Sequence, residues 1–263
     1  RDSGIFLTTL GFGSGNYNDR LMEQLADHGN GNYAYIDSLL EARKVLVEEI
    51  GGTLHSVAKD VKIQIEFNPA TVSEYRLIGY ENRLLAREDF NNDKVDAGEV
   101  GAGHSVVALY EMALVGQGGE RIDPLRYAPA QLSKATHSNE LAWVRLRYKQ
   151  PDADNSQLIE IPLHANAAVS SLAKMNDDYR FSAAVAAFGQ KLRGGQYLED
   201  YAYADIIDLA RDSRGDDRYG YRSEFLRVLG LAQSLQPKQI SQSGMDQPQL
   251  DQSRSTASGI NQP

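Results

Sequence analysis

Gly11-Phe12-Gly13-Ser14-Gly15 follows an apolar strand-like run and leads into Asn16-Tyr17-Asn18-Asp19, and both pieces carry chemistry. Glycine-rich backbone ahead of a helix presents amide donors that can cradle an anion. The dinucleotide fingerprint is not met, because the third glycine of G-x-G-x-x-G falls on Asn16, and the residue types favour a tight structural turn. The loop still leaves the carboxyl end of a strand, the edge at which open α/β sheets bind ligands. Asn16, Tyr17, Asn18 and Asp19 are therefore the candidate binding rim.

A second oxygen-rich stretch holds Asp89, Asn91, Asp93 and Asp96, spaced like a calcium loop. Position six of such a loop is Gly and position twelve is Glu, whereas Lys94 and Val100 stand there, so a polar hairpin loop is the better reading. The five histidines, His28, His55, His104, His137 and His164, are scattered singly, without metal-binding spacing. The sequence has no cysteine, which excludes disulfides, thiol catalysis and cysteine-held zinc. No nucleophile stands beside a base, so no enzyme is expected. The alternative is a hydrolase or enzyme accessory built from Asp89, Asp93 and His104. Arg214-Gly215-Asp216 spells the integrin tripeptide in a loop between helices and is read as chance.

The positioning elements follow from periodicity. Ile5 to Phe12 is a continuous apolar run, Leu21, Met22 and Leu25 mark a helix capped by Asn18 or Asp19, and Tyr33 to Ile36 is a second strand. Strand, helix, strand is a parallel crossover. Leu39, Leu40, Val45, Leu46, Ile50 and Leu54 predict a helix over 38–58, weakened by Gly51-Gly52. Val61, Ile63, Ile65 and Phe67 then alternate with polar residues, which puts one face in a core and the other in water. Further strands are expected at 75–80, 105–114, 141–148 and 158–163, together a small β-sandwich. Apolar stripes predict three helices: Phe181, Ala184, Val185, Phe188 and Leu192; Ile206, Ile207 and Ala210; Phe225, Val228, Leu229 and Ala232. The tail beyond 236 is rich in Gln, Ser, Asp and Pro and has too little apolar surface to offset ordering. The fold class is α+β.

The segments LTTLGFGSGNYND and LMEQLADHGNGNYAYID, followed by EARKVL, DVKIQIEFNP, YRLIGYENR, DFNNDKVDAGEVGAGHSVVALYE, RFSAAVAAFGQKLRG and GYRSEFL, resemble the closing portion and C-terminal extension of bacterial von Willebrand factor type A (VWA) proteins of the cell envelope. The resemblance implies a VWA portion over 1–58, a β-sandwich-like unit over 59–165, a helical extension over 166–235 and a polar tail over 236–263. It also implies that the family's metal-ion-dependent adhesion site, which holds Mg or Ca, is formed by loops upstream of Gly4. The chain, which starts at Arg1, is expected to be a fragment without that cofactor, its rim lying beside the missing site. Asp251, Ser253 and Ser255 match the Asp-x-Ser-x-Ser motif but follow SQSGMDQPQL rather than a buried strand.

Composition bounds the rest. With 27 Lys and Arg against 36 Asp and Glu, the net charge of −9 argues against nucleic acid. No run reaches the ~18 apolar residues of a membrane span. The expected role is binding or scaffolding toward a protein partner in the cell envelope or periplasm.

Overall fold

The computed structural model describes residues 6–13, 15, 17–79, 84–95, 97–123, 137 and 139–236. Its architecture is α+β, as the periodicity requires. Strand β1 (Leu7–Phe12) leads through the glycine loop to helix α1 (Asp19–His28) and on to β2 (Asn30–Ile36), which pairs with β1 in parallel. Asn18 is the N-cap, its side-chain oxygen accepting from the Leu21 amide at 3.1 Å. Asn30 starts β2 in the left-handed region, three residues earlier than the apolar pattern indicates. Gly31 lies so close to β1 that a Cβ there would fall 2.0 Å from the Leu7 carbonyl oxygen.

The helical stretch after β2 is broken into α2 (Leu39–Arg43), a π-helical stretch Lys44–Glu48 and α3 (Ile50–Leu54). Its glycines mark packing as well as weakness. A Cβ on Gly52 would meet the His104 ring at 2.4 Å, and one on Gly101 would meet the Gly52 carbonyl oxygen at 2.0 Å. Small residues on both sides let α3 touch the following sheet.

That sheet has the order β5-β3-β7-β8, from β3 (Ser56–Phe67), β5 (Gly98–Gly101), β7 (Glu140–Lys149) and β8 (Gln157–His164), all antiparallel neighbours. β3 begins five residues before the readable alternation because Asp60, at φ 52°, shifts the register and resets the period. Strands β4 (Val72–Ile78) and β6 (Leu109–Leu114) pair with each other. They pack on the end of the larger sheet, where Phe67, Val72 and Ala142 are buried against Tyr110 and Met112.

Helices α4 (Asp177–Leu192), α5 (Tyr203–Asp212) and α6 (Tyr221–Ser234) have their own core of Ala184, Phe188, Tyr203, Ile206, Ala210 and Leu229. The bundle meets the β4–β6 pair through polar contacts. The Arg76 guanidinium lies 3.8 Å from the Tyr197 ring centre and donates to Gln190 at 2.6 Å. No helix of the described residues is long and apolar enough to cross a membrane.

Candidate functional site

Of the four rim residues, the structure describes Tyr17, Asn18 and Asp19, and Asn16 lies outside the described residues. Gly13, at φ 84°, turns the chain out of β1, and its carbonyl accepts from the Tyr35 hydroxyl at 2.6 Å. Gly11 carries no side chain because Tyr17 occupies the space, with its hydroxyl 2.1 Å from where a Cβ would sit. Tyr17 packs against Tyr35 with ring centres 5.0 Å apart and donates to the Tyr33 hydroxyl at 3.0 Å. Tyr33 in turn donates to the Asp19 carboxylate.

The result is a chain of two phenols ending on a carboxylate at the N-terminus of α1. Burial, then the hydrogen bonds to Asp19 and Tyr17, push the Tyr33 phenol above its ordinary range, so it stays protonated and acts as a donor. Asn18 Oδ1 caps α1 and Asp19 Oδ1 accepts from Tyr33, so the rim can offer a ligand the remaining Asp19 lone pairs, the Asn18 amide N–H groups and the Tyr17 hydroxyl oxygen.

A cleft of about 340 Å³ opens between one face of β1–β2 and the helical stretch, lined by Leu10, Asn32, Ala34, Leu46, Glu49 and His104. Its walls are bridged by a hydrogen bond of 3.4 Å from Asn32 to Thr53. Sequence reasoning missed it, since His104 arrives from the loop after β5 and only the Gly52 contact betrays its position.

The stretch spaced like a calcium loop is pinned by lysines. The Lys62 ammonium donates to the backbone carbonyls of Asp89 and Asn92, at 3.3 and 2.5 Å, and that of Lys149 donates to the Asp93 carbonyl at 2.8 Å and the Asp60 carboxylate at 2.7 Å. Both lysines are buried, 4% and 9% exposed, and Phe90 in the same loop is 2% exposed. The Ser156 hydroxyl donates to Asp93 at 2.7 Å, and this bond leads the causes that hold the Asp93 carboxyl below the ordinary value. Asp93 is thus tied to the β7–β8 turn while His104 sits against Gly52, and no contact joins them as a catalytic pair. Asp96, Ser14, Asp251, Ser253 and Ser255 lie outside the described residues.

Of Arg214-Gly215-Asp216, Gly215 and Asp216 border a cleft of about 530 Å³ with Asp177, Asp178 and Arg222. Its backbone is enlisted by the fold, because Arg222 donates to the carbonyls of Ser213 and Arg214 at 3.1 and 3.2 Å and pairs with Asp178. Among the described residues no group of three or more His, Asp or Glu is placed to hold a metal ion.

The family described as "Uncharacterized protein YfbK, C-terminal" matches residues 52–235, from α3 through the last helix. The chain belongs to this family. A curated relative, "Uncharacterized protein YfbK" of Escherichia coli (strain K12), is 51% identical over 236 residues, which are 89% of this chain and 40% of the relative. The chain therefore spans 40% of that relative's length. Among solved structures, the ArnB paralog VWA2 from Sulfolobus acidocaldarius is similar at 13% identity and TM-score 0.42, over 87% of this chain and 53% of that one. A von Willebrand factor type A structure from Catenulispora acidiphila is similar at 14% identity and TM-score 0.37, over 84% and 50%.

Proposed function

We propose that this chain is the C-terminal part of a VWA-containing binding or scaffold protein of the bacterial cell envelope, acting on a protein partner. The observation that carries the reading is the parallel β1–α1–β2 crossover with its glycine loop. Parallel pairs belong to larger sheets covered on both faces, yet among the described residues β1 pairs with β2 alone. Phe12, Leu21 and Leu25 are correspondingly 61%, 49% and 43% exposed. The motif resemblance assigns the missing strands to a VWA sheet, with Tyr17 on the ligand-binding edge.

In this reading Mg or Ca is held by loops of those further strands. The described rim residues do not make a ligand set, since Asp19 is the one carboxylate among them and no group of three His, Asp or Glu among the described residues is placed to hold a metal ion. What this chain supplies is a border to the site, stiffened by the tilted ring pair Tyr17 and Tyr35.

Capture of partners by the full-length protein, with magnesium and with the metal stripped, tests the proposal. Metal-dependent capture that weakens in Tyr17→Ala is the expected result. Capture of every partner indifferent to both metal and substitution overturns it.

A further inference from the structure

The bundle α4–α6 is joined to the sheet by a strap rather than by a shared core. Between His164, the last residue of β8, and Asp177, the first of α4, the chain runs through two short 3-10 turns, Ala165–Ala167 and Leu172–Lys174. Every residue from Asn166 to Lys174 is exposed, and the Lys174 ammonium donates back into the strap, to the Ser170 hydroxyl at 2.7 Å. The buried core of the bundle and the apolar side chains packed on it all come from residues 181–232.

Charge holds the bundle against its neighbours. The Tyr197 ring, in the connection from α4 to α5, faces the guanidinium groups of Arg76 on β4 and of Arg121, at 3.8 and 5.3 Å from its centre. Arg121 also donates to the Tyr197 carbonyl at 3.4 Å and lies 3.7 Å from the Glu199 carboxylate. Glu111 on β6 pairs with both arginines and keeps them together. Through α6 the bundle meets the N-terminal unit as well, where the Lys44 ammonium stands 5.3 Å from the centre of the Tyr221 ring. Contacts of this kind are individually weak, and salt screens them. Two features work against them. Arg76 Nε is buried with no hydrogen-bond partner among the described residues, a loss that water would repair. Glu199, at φ 46°, is held in the left-handed region that favours glycine.

We infer that α4–α6 is a hinged clasp, which turns as one body on the strap 165–176 and is closed where Arg76 and Arg121 grip the Tyr197 segment. Polar contacts between units of one chain permit such relative motion. The bundle's core travels intact, because it lies wholly inside the bundle. Closed, the clasp touches both the β4–β6 pair and the π-helical stretch, and so ties the N-terminal unit to the sandwich. Open, it releases that tie and bares the Arg76, Glu111 and Arg121 cluster, while Arg76 Nε regains water and Glu199 is free to leave its left-handed conformation.

The absence of cysteine lets dye pairs be placed cleanly. Asp152→Cys in the β7–β8 turn with Arg211→Cys on α5 reports sheet to bundle, and Arg211→Cys with Gln233→Cys on α6 reports the bundle alone; all three positions are exposed. Single-molecule energy transfer is read in about 0.1 M and about 1 M salt, between which the screening length falls from about 10 to about 3 Å. The expected result is a second sheet-to-bundle population that grows roughly threefold or more at the higher salt and already dominates at the lower salt in Arg121→Gln, with the within-bundle value fixed throughout. One sheet-to-bundle population, unchanged by salt and by Arg121→Gln, overturns the inference. So does a within-bundle change that accompanies the shift, because the bundle would then be loosening rather than turning.

Discussion

Lys62 shows how far a single residue departs from its pattern. Its place in the alternation 61–67 assigns it to water, yet it is 4% exposed because residues 87–95 fold over the polar face and insert Phe90. The alternation was legible and the burial was not, because a covering loop leaves no period; the signal available was a lone Phe among acidic residues. Lys62→Met should cost about 1–3 kcal/mol, since the carbonyls of Asp89 and Asn92 lose their donor. Lys94→Met in the same loop but exposed should stay within about 0.5 kcal/mol. Equal denaturation midpoints for the two variants would show that the pin has no weight. Asp217 gives a pH dependence. Burial opposes its ionisation, but hydrogen bonds from Ser223 and the Arg222 amide outweigh that and hold its carboxyl below the ordinary value. A depressed folded value means stability fully present above the unfolded value, about 3.9, and lost as pH falls below it. Thermal unfolding between pH 3 and 5, roughly that window, should show a loss that Asp217→Asn flattens.

At the scale of elements, the sequence marked the long helices and the alternating strands and missed what has no period. β5 is four residues with glycine at both ends, and the π-helical stretch breaks no hydrophobic pattern. The stripe in α6 was legible but wider than the core uses: Leu229 is 0% exposed, while Val228 is 46% exposed, and Leu231, outside the stripe, is 60% exposed. Leu229→Ala should therefore cost about 2–5 kcal/mol, and Leu231→Ala, two residues on, less than about 1. Comparable losses from both would mean that the exposed side of α6 is covered in solution. Gly31→Ala asks a similar question of the crossover, because its Cβ would run into the Leu7 carbonyl. Hydrogen exchange should then quicken through β1 and β2 and leave α4 to α6 unchanged. The rim was legible for its N-cap, from Asn18 ahead of an apolar stripe. The tyrosine chain was not, since Tyr33 and Tyr35 come from the far side of the crossover and only the fold brings Tyr33 to Asp19 and Tyr35 to Tyr17.

The whole molecule is unevenly supported. The helical bundle encloses a core with Ala184, Ile206, Ala210 and Leu229 at 0% exposure, whereas the N-terminal unit buries Ala26, Ile36 and Val45 and leaves Leu39 and Leu54 at 87% and 69% exposed. In the isolated 263-residue chain, amides of Leu7 to Ile36 should exchange faster than those of Val61 to Phe67, and both faster than the bundle. Exchange of Leu7 to Ile36 as slow as that of Val61 to Phe67, in a monomeric sample, would contradict the reading of a sheet that continues elsewhere. The same sample titrated with magnesium or calcium should show no stoichiometric site tighter than about 100 µM.

The loop pinned by Lys62 and Lys149 has one more consequence. Oxygen-rich turns in other proteins borrow a soluble ion and take or lose their shape with its supply. Here two ammonium groups, covalently part of the chain, occupy the centre of such a turn. Its shape is therefore inherited with the gene, set by two lysines rather than by the supply of an ion.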